Sequence, residues 1–214
     1  MEKTLRMENR TKRWREQRWL LDSVIKTVGP EWDQGRLGSK GGKGGGAGTA
    51  SFRRAGAKMK KFDDIGPEFG REGQRMEGIA KGFEDQGRFV SAYENYFIAS
   101  LLYASAQWPY FDINDEDLEW ERRMARCYDK FIEYAPHPVE RVDIPFQDTA
   151  MSAFLHLPSA PENGAPFPCI LHIGGMDGSK ENMVALHGDS ALSRGMAVLA
   201  LDGPGQGETR NRGI

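Results

Sequence analysis

Cysteine is nearly absent: Cys127 and Cys169 are the two in 214 residues. Two cannot build a disulfide framework, and they do not stand at a metal-binding spacing. Long apolar runs are missing too. The best, Ile98 to Ala106, is nine residues long and includes Ser, against roughly 20 for a membrane-spanning helix. The chain opens Met1-Glu-Lys-Thr-Leu-Arg and continues into Arg and Trp instead of an apolar stretch, so no secretory signal is expected. Histidine is limited to His137, His156, His172 and His187. Membrane, collagenous and disulfide-scaffold classes are therefore set aside, and a soluble cytoplasmic protein is the expectation.

Glycine, by contrast, is plentiful: 26 residues, about 12% against a usual share near 7%. Charge is plentiful and uneven. Residues 1–61 hold 16 Lys/Arg and 6 Asp/Glu, whereas residues 62–214 hold 13 and 25, leaving a net charge of -2. A basic arm on an acidic body fits either nucleic-acid contact or attraction between the two halves of one fold, and the second is preferred. Gly35 to Gly48 has eight glycines in fourteen residues with Arg36, Lys40 and Lys43 among them, and reads as a flexible loop. It is not a phosphate loop: Gly42-Lys43 is followed by Gly44, and Leu37 stands where the first glycine is needed. Nor does an apolar strand precede it, as a dinucleotide fingerprint requires.

Hydrophobic spacing divides the chain in two. Trp14, Leu21, Val24, Ile25 and Val28 make one helical stripe, closed by Gly29-Pro30. Phe62, Ile65, Phe69, Met76, Ile79 and Phe83 make a second, which Gly66-Pro67 should break or kink. Phe89, Tyr93, Tyr96, Phe97, Ser100 and Leu101 form a third face. Asn114 is placed to cap a further helix with Asp115, Glu116 and Asp117 at its positive end. That helix would bury Met124, Cys127, Tyr128, Phe131 and Ile132 and stop at Ala135-Pro136. The predicted organisation is a helical cap domain over 1–135 and an α/β domain over 136–214.

After Pro138 the period falls to two. Val142, Ile144 and Phe146, then Met151, Ala153, Leu155 and Leu157, predict an antiparallel hairpin turning at Gln147-Asp148-Thr149. Two continuous apolar strands follow, Cys169–Ile173 and Met196–Leu201, with a helix predicted over Lys180–Arg194 between them. Apolar strand, helix, apolar strand is a parallel βαβ unit. Function in such a sheet sits in the loops at the strands' carboxyl ends. Those loops are Gly174-Gly-Met-Asp-Gly-Ser179 and Asp202-Gly-Pro-Gly-Gln-Gly-Glu208. Two glycines directly after a buried strand can turn backbone N–H groups into a cleft, which suits an oxyanion hole.

These segments, in this order, resemble the first half of an α/β-hydrolase. The helical region, including Arg18-Trp-Leu-Leu-Asp-Ser-Val-Ile-Lys-Thr-Val-Gly-Pro-Glu-Trp-Asp33 and Glu94-Asn-Tyr-Phe97, is similar to the helical domain of the 2,6-dihydroxypseudooxynicotine hydrolase group and its FrsA-like esterase relatives. The resemblance implies a serine hydrolase acting on a carbon–carbon or ester bond next to a carbonyl, using side chains and water with no metal or organic cofactor. Its Ser would sit in a Gly-x-Ser-x-Gly elbow after a fifth strand, followed by an acid and a His. Neither Ser179 nor Ser190 lies in such an elbow, so the 214 residues are expected to be inactive alone, and none of the four histidines takes the catalytic place.

By position, the oxyanion role passes to the backbone N–H of Gly175 or Met176, with Gly174 and Asp177 on the substrate side of the same loop. Asp177 also reads as a cap for the following helix, and Asp202 as the holder of its own Gly-Pro-Gly turn. His172 reads as a hydrogen-bonded core residue. The expected partner is a small carbonyl or ester substrate, without membrane or nucleic acid. The third strand should present an unpaired apolar edge, through which the chain could form a homodimer or otherwise self-associate. The alternative reading is a non-enzymatic protein whose Gly/Lys arm binds nucleic acid.

Overall fold

Residues 18–29, 39–110, 112–158, 166–175 and 178–214 are described by a computed structural model. Helix α1, residues 18–28, buries Ile25 at one face while Val28 of the expected stripe is exposed. Trp14 and the Gly29-Pro30 stop's proline lie outside the described residues. The described part of the glycine-rich stretch is ordered helix, which corrects the flexible loop expected over 35–48. Gly41–Lys43 forms one helical turn and Gly45–Gly56 forms α2. A Cβ on Gly48 would stand 2.5 Å from the Gly41 carbonyl oxygen, so glycine is what lets the two turns approach. The order comes from elsewhere in the chain: Leu186 N–H donates to the Lys43 carbonyl at 2.8 Å, and the Lys43 ammonium donates to the Met183 carbonyl at 2.6 Å. Composition describes local freedom and carries no trace of such distant partners.

Three long helices follow: α3 (Ile65–Asp85), α4 (Phe89–Ala106) and α5 (Asp115–Tyr134). Pro67 does not break α3. It is the third residue of that helix, where an amide N–H has no intrahelical acceptor to lose. Phe62, Ile65, Phe69 and Met76 are buried as their spacing predicts. Helix α4 exceeds a one-sided stripe: every residue from Tyr96 to Ala106 is buried, because α3 and α5 flank it. Its serines meet this burial internally, Ser100 Oγ donating to the Phe97 carbonyl (2.7 Å) and Ser105 Oγ to that of Leu101 (3.0 Å). Phe89, at the start of the expected face, is 49% exposed. Asn114 caps α5 as its position suggests, its Oδ1 accepting from the Asp117 N–H at 2.9 Å.

Four strands, β1 (Val139–Phe146), β2 (Thr149–His156), β3 (Cys169–Ile173) and β4 (Ala197–Leu201), form one sheet in the order β1-β2-β4-β3. The hairpin β1–β2 is antiparallel, β2 pairs antiparallel with β4, and β3 pairs parallel with β4. The fold is thus a helical region followed by a mixed α/β sheet. The simple in–out alternation fails on β2, where Ser152, Ala153, Phe154 and His156 are all buried. Both faces of that strand are covered, one by α5 through Tyr128 and Phe154 with ring centroids 4.8 Å apart. Among the described residues β3 is an outer strand, and its Ile170, Leu171 and Ile173 are 41–57% exposed. His172 is accordingly half-buried on that edge strand instead of lying in the core.

The crossover from β3 to β4 is not the predicted α-helix. It holds two short 3-10 turns, Lys180–Asn182 and Leu192–Arg194, with irregular chain between them. The Asp189 carboxylate accepts from the N–H groups of Ala185, Ala191 and Leu192 at 3.0–3.2 Å. A short side-chain acceptor inside the segment takes amides that an α-helix would turn onto its own carbonyls. His187, expected within that helix, stands in the irregular chain opposite Glu94 at 3.4 Å. Among the described residues no helix is long and apolar enough to cross a membrane.

A chain of polar rings, buried at Tyr128 and His156 and half-buried at His137, links helix and sheet. Tyr128 Oη lies 3.2 Å from His156 Nε2, and His156 Nδ1 lies 3.0 Å from His137 Nε2. His156 is fully buried. Burial, reinforced by the neighbouring His137 and only partly opposed by Asp189, lowers its pKa to about 3. The unfolded chain therefore takes up a proton between pH 6.5 and about 3 that the folded chain refuses. Stability is full above that window and falls as pH drops through it. We expect urea titrations of His156→Phe to show a flatter loss of stability between pH 6.5 and 4 than the parent chain; an unchanged slope would place the acid sensitivity elsewhere.

Candidate functional site

Parallel pairing of β3 with β4 brings their two exit loops side by side. The first loop begins Gly174-Gly175 and resumes at Gly178; the second runs from Asp202 to α6 (Gly207–Asn211). Met176 and Asp177, singled out as an oxyanion donor and a substrate-side residue, lie outside the described residues, as does the proposed Asp177 cap.

The loops are joined through a buried cation. Lys180 is 1% exposed, and its ammonium lies 2.9 Å from Glu181 Oε1, 3.0 Å from Asp202 Oδ2 and 3.0 Å from Glu208 Oε2. Three N–H bonds thus meet three carboxylates. Burial works to lower the Lys180 pKa, but Glu181, Asp202 and Glu208 together raise it above its ordinary value. Three carboxylates around one ammonium leave local negative charge in excess. Burial and the nearby Glu181 push Asp202 up to about 6. Glu208 goes the other way: burial would raise it, but Lys180 and Arg212 hold it at about 2.

Asp202 was expected to hold its own Gly-Pro-Gly turn. It spans that turn and reaches the other loop as well: Oδ2 accepts from the Glu208 N–H at 3.1 Å, and Oδ1 accepts from the Lys180 N–H at 2.7 Å. One carboxylate therefore fixes the resumption of the first loop and the start of α6. Gly207 makes this possible, with φ +42° and a position where any Cβ would run into the Asp202 carboxylate. The turn itself is closed by Gln206, whose N–H donates to the Gly203 carbonyl and whose Oε1 accepts from the Gly203 N–H, both at 3.0 Å. The same side chain reaches the other loop. Its Nε2 donates to the carbonyls of Gly174 at 2.8 Å and Gly175 at 2.6 Å.

That contact orients the predicted oxyanion loop. A trans peptide unit is planar, so its N–H points opposite to its C=O. With the Gly174 carbonyl turned onto Gln206 on the β4 side, the Gly175 N–H faces away from β4. A donor held this way can receive charge developing on a carbonyl oxygen. Of the four site residues expected, Gly174 and Gly175 are described, as the two residues directly after β3 with both carbonyls on Gln206. Lys180, Gln206 and Glu208 had not been assigned a role from sequence. Their signal is limited to the dense Gly-Pro-Gly-Gln-Gly-Glu string, which marks a turn without saying what it binds. Among the described residues no group of His, Cys, Asp or Glu is arranged to hold a metal ion.

The profile of the FrsA-like esterases matches residues 72–212. An α/β hydrolase, ucsC, of Acremonium sp is 30% identical over 186 residues, covering 79% of this chain and 38% of its own length. The esterase FrsA of Yersinia pestis (strain Pestoides F) is 28% identical over 141 residues, covering 65% of this chain and 33% of its own. Among solved structures, the 2,6-dihydroxy-pseudo-oxynicotine hydrolase superposes with a TM-score of 0.63 at 25% identity, covering 84% of this chain and 48% of that one. The chain spans between a third and a half of the length of these relatives.

Removing the buried cation should be costly because it strands charge. We expect Lys180→Met to lose about 3–5 kcal/mol in urea unfolding, with part of the loss recovered when Asp202→Asn is added. A cost below about 1 kcal/mol would mean that water already solvates these carboxylates.

Proposed function

This chain belongs to the FrsA-like esterase family, and from that premise we propose that it is the N-terminal portion of a serine-type hydrolase cleaving an ester or carbon–carbon bond next to a carbonyl. The observation that supports the reading is the Gly174 carbonyl held by Gln206 Nε2 at 2.8 Å at the carboxyl end of β3, which by peptide planarity turns the Gly175 N–H the other way. In the proposed reaction a serine outside these 214 residues attacks the substrate carbonyl. The oxygen gains negative charge as the carbon becomes tetrahedral, and the Gly175 N–H donates to it. A histidine oriented by an acid, both also outside these residues, takes the serine proton and gives it to the leaving group as the carbonyl re-forms, and water then releases the acyl group from the serine. Donors of this kind are worth about 10²–10³ in kcat, but only where a nucleophile is present, so the 214 residues alone should be inactive.

The competing nucleic-acid reading draws on the charge asymmetry of the sequence. It is weakened by where two of its lysines stand: Lys40 is buried, and the Lys43 ammonium is engaged by the Met183 carbonyl. Such lysines are poorly placed to neutralise phosphates.

The test is to follow the reading frame past codon 214 and express both lengths. With p-nitrophenyl butyrate, the 214-residue chain should stay at background. A longer product carrying a Gly-x-Ser-x-Gly elbow should hydrolyse the ester at least a hundredfold faster and lose that rate when its serine becomes Ala. A frame that closes without such an elbow would overturn the hydrolase reading.

A further inference from the structure

We infer that Gln206 is a positioning residue for the oxyanion loop: its carboxamide holds the Gly174 carbonyl, and with it the peptide plane that carries the Gly175 N–H. The inference rests on the hydrolase reading above and extends it to a residue that touches no substrate atom.

The argument is one of hydrogen-bond valence. A carboxamide has one acceptor oxygen and two N–H donors. Gln206 Oε1 takes the Gly203 N–H at 3.0 Å, which fixes the carboxamide against its own turn. Both donors of Nε2 are then left facing the neighbouring loop, where they meet the Gly174 and Gly175 carbonyls at 2.8 and 2.6 Å. The Gly175 carbonyl is also taken by the Gly178 N–H at 2.9 Å. Every polar atom of the carboxamide is thus used, and in one orientation only. Swapping its oxygen and nitrogen would set two carbonyls against an oxygen.

Glycine makes such a device necessary. Two successive glycines have no side chains to resist a peptide flip, and Gly175 has open space around the place a Cβ would occupy. A flipped unit would present a carbonyl where the donor belongs and repel the developing oxyanion. The clamp prevents this from the carbonyl side of the peptide. Its own base is rigid, because the segment that follows begins α6, held by Asp202 and by Thr209 Oγ1 donating to the Asp202 carbonyl at 2.7 Å. A fixed β4 loop is therefore used to orient a pliable β3 loop.

Two variants test this, Gln206→Ala, which deletes the clamp, and Gln206→Glu, which keeps the shape but has no N–H to give. Hydrogen exchange on the 214-residue chain reads the clamp without any need for catalysis. The Gly178 amide, which donates to the Gly175 carbonyl at 2.9 Å, should exchange at least tenfold faster in both variants, while the melting temperature moves by only a few degrees. In the longer reading-frame product, kcat for p-nitrophenyl butyrate should fall about ten- to hundredfold with KM within about twofold, since the donors act in the transition state and not on the bound ester. Unchanged exchange overturns the clamp. Faster exchange with unchanged kcat overturns its catalytic purpose. A longer product that never hydrolyses esters, with exchange still accelerated, sinks the hydrolase reading and leaves Gln206 as a purely structural tie.

Discussion

A single ammonium group holds the exit loops of β3 and β4 together. Lys180 sits where the β3 exit loop returns toward the sheet, and Asp202 and Glu208 come from the loop after β4. An isolated charge of either sign would be too costly to bury there. The three carboxylates and the ammonium make the burial tolerable only in combination, so neither loop has a low-energy position without the other. Asp202 extends the tie by accepting two backbone N–H groups, one from each loop. The face of the Phe154 ring lies 5.1 Å from the Lys180 ammonium and closes the cluster from the side of β2.

This tie is shared with the helical layer. Helix α6 carries Thr209 and Arg210 as well as Glu208. The Thr209 hydroxyl oxygen accepts from the Ser152 N–H on β2, and Arg210 pairs with the buried Asp117 at the start of α5. Tyr128 of α5 then stacks near Phe154 and meets His156. Helix, sheet and loops are consequently one connected body at this end, in which an apolar contact supplies the area and a few buried polar contacts supply the register. The glycine-rich segment joins from the opposite side through Lys43 and the 183–186 stretch.

The cleft loops divide their labour by composition. The β4 loop is dense in side chains that hold: Asp202, Gln206, Glu208 and Thr209. The β3 loop offers mainly backbone, with Gly174 and Gly175 at its start. The β3 loop ties itself once, through the Gly178 N–H and the Gly175 carbonyl at 2.9 Å. Further support comes from the neighbouring loop through Gln206, which parallel pairing of β3 and β4 keeps in fixed register.

The sequence alone determined the elements whose signal is local or periodic. The Asn114 cap, the helical stripes of Phe62 to Met76 and of Met124 to Phe131, the hairpin, and the parallel pair of apolar strands all follow from spacing, because burial on one face imprints a period on the chain. The loop of Gly174 and Gly175 was legible for the same reason, as the turn that must follow a buried strand. The tertiary structure alone decided what depends on partners far away in sequence. Gly41 to Gly48 is helical because Met183 and Leu186 engage Lys43. The 180–194 crossover is irregular because Asp189 captures three amides. Pro67 falls in the first turn of α3 because a separate 3-10 turn, Phe62–Asp64, takes up the chain before Ile65. Above all, the contacts of Lys180 with Asp202 and Glu208, and of Gln206 with Gly174 and Gly175, required the side-by-side placement of two loops separated by a whole strand. No local pattern records that distance; it is set by the sheet register, and only the folded chain contains it.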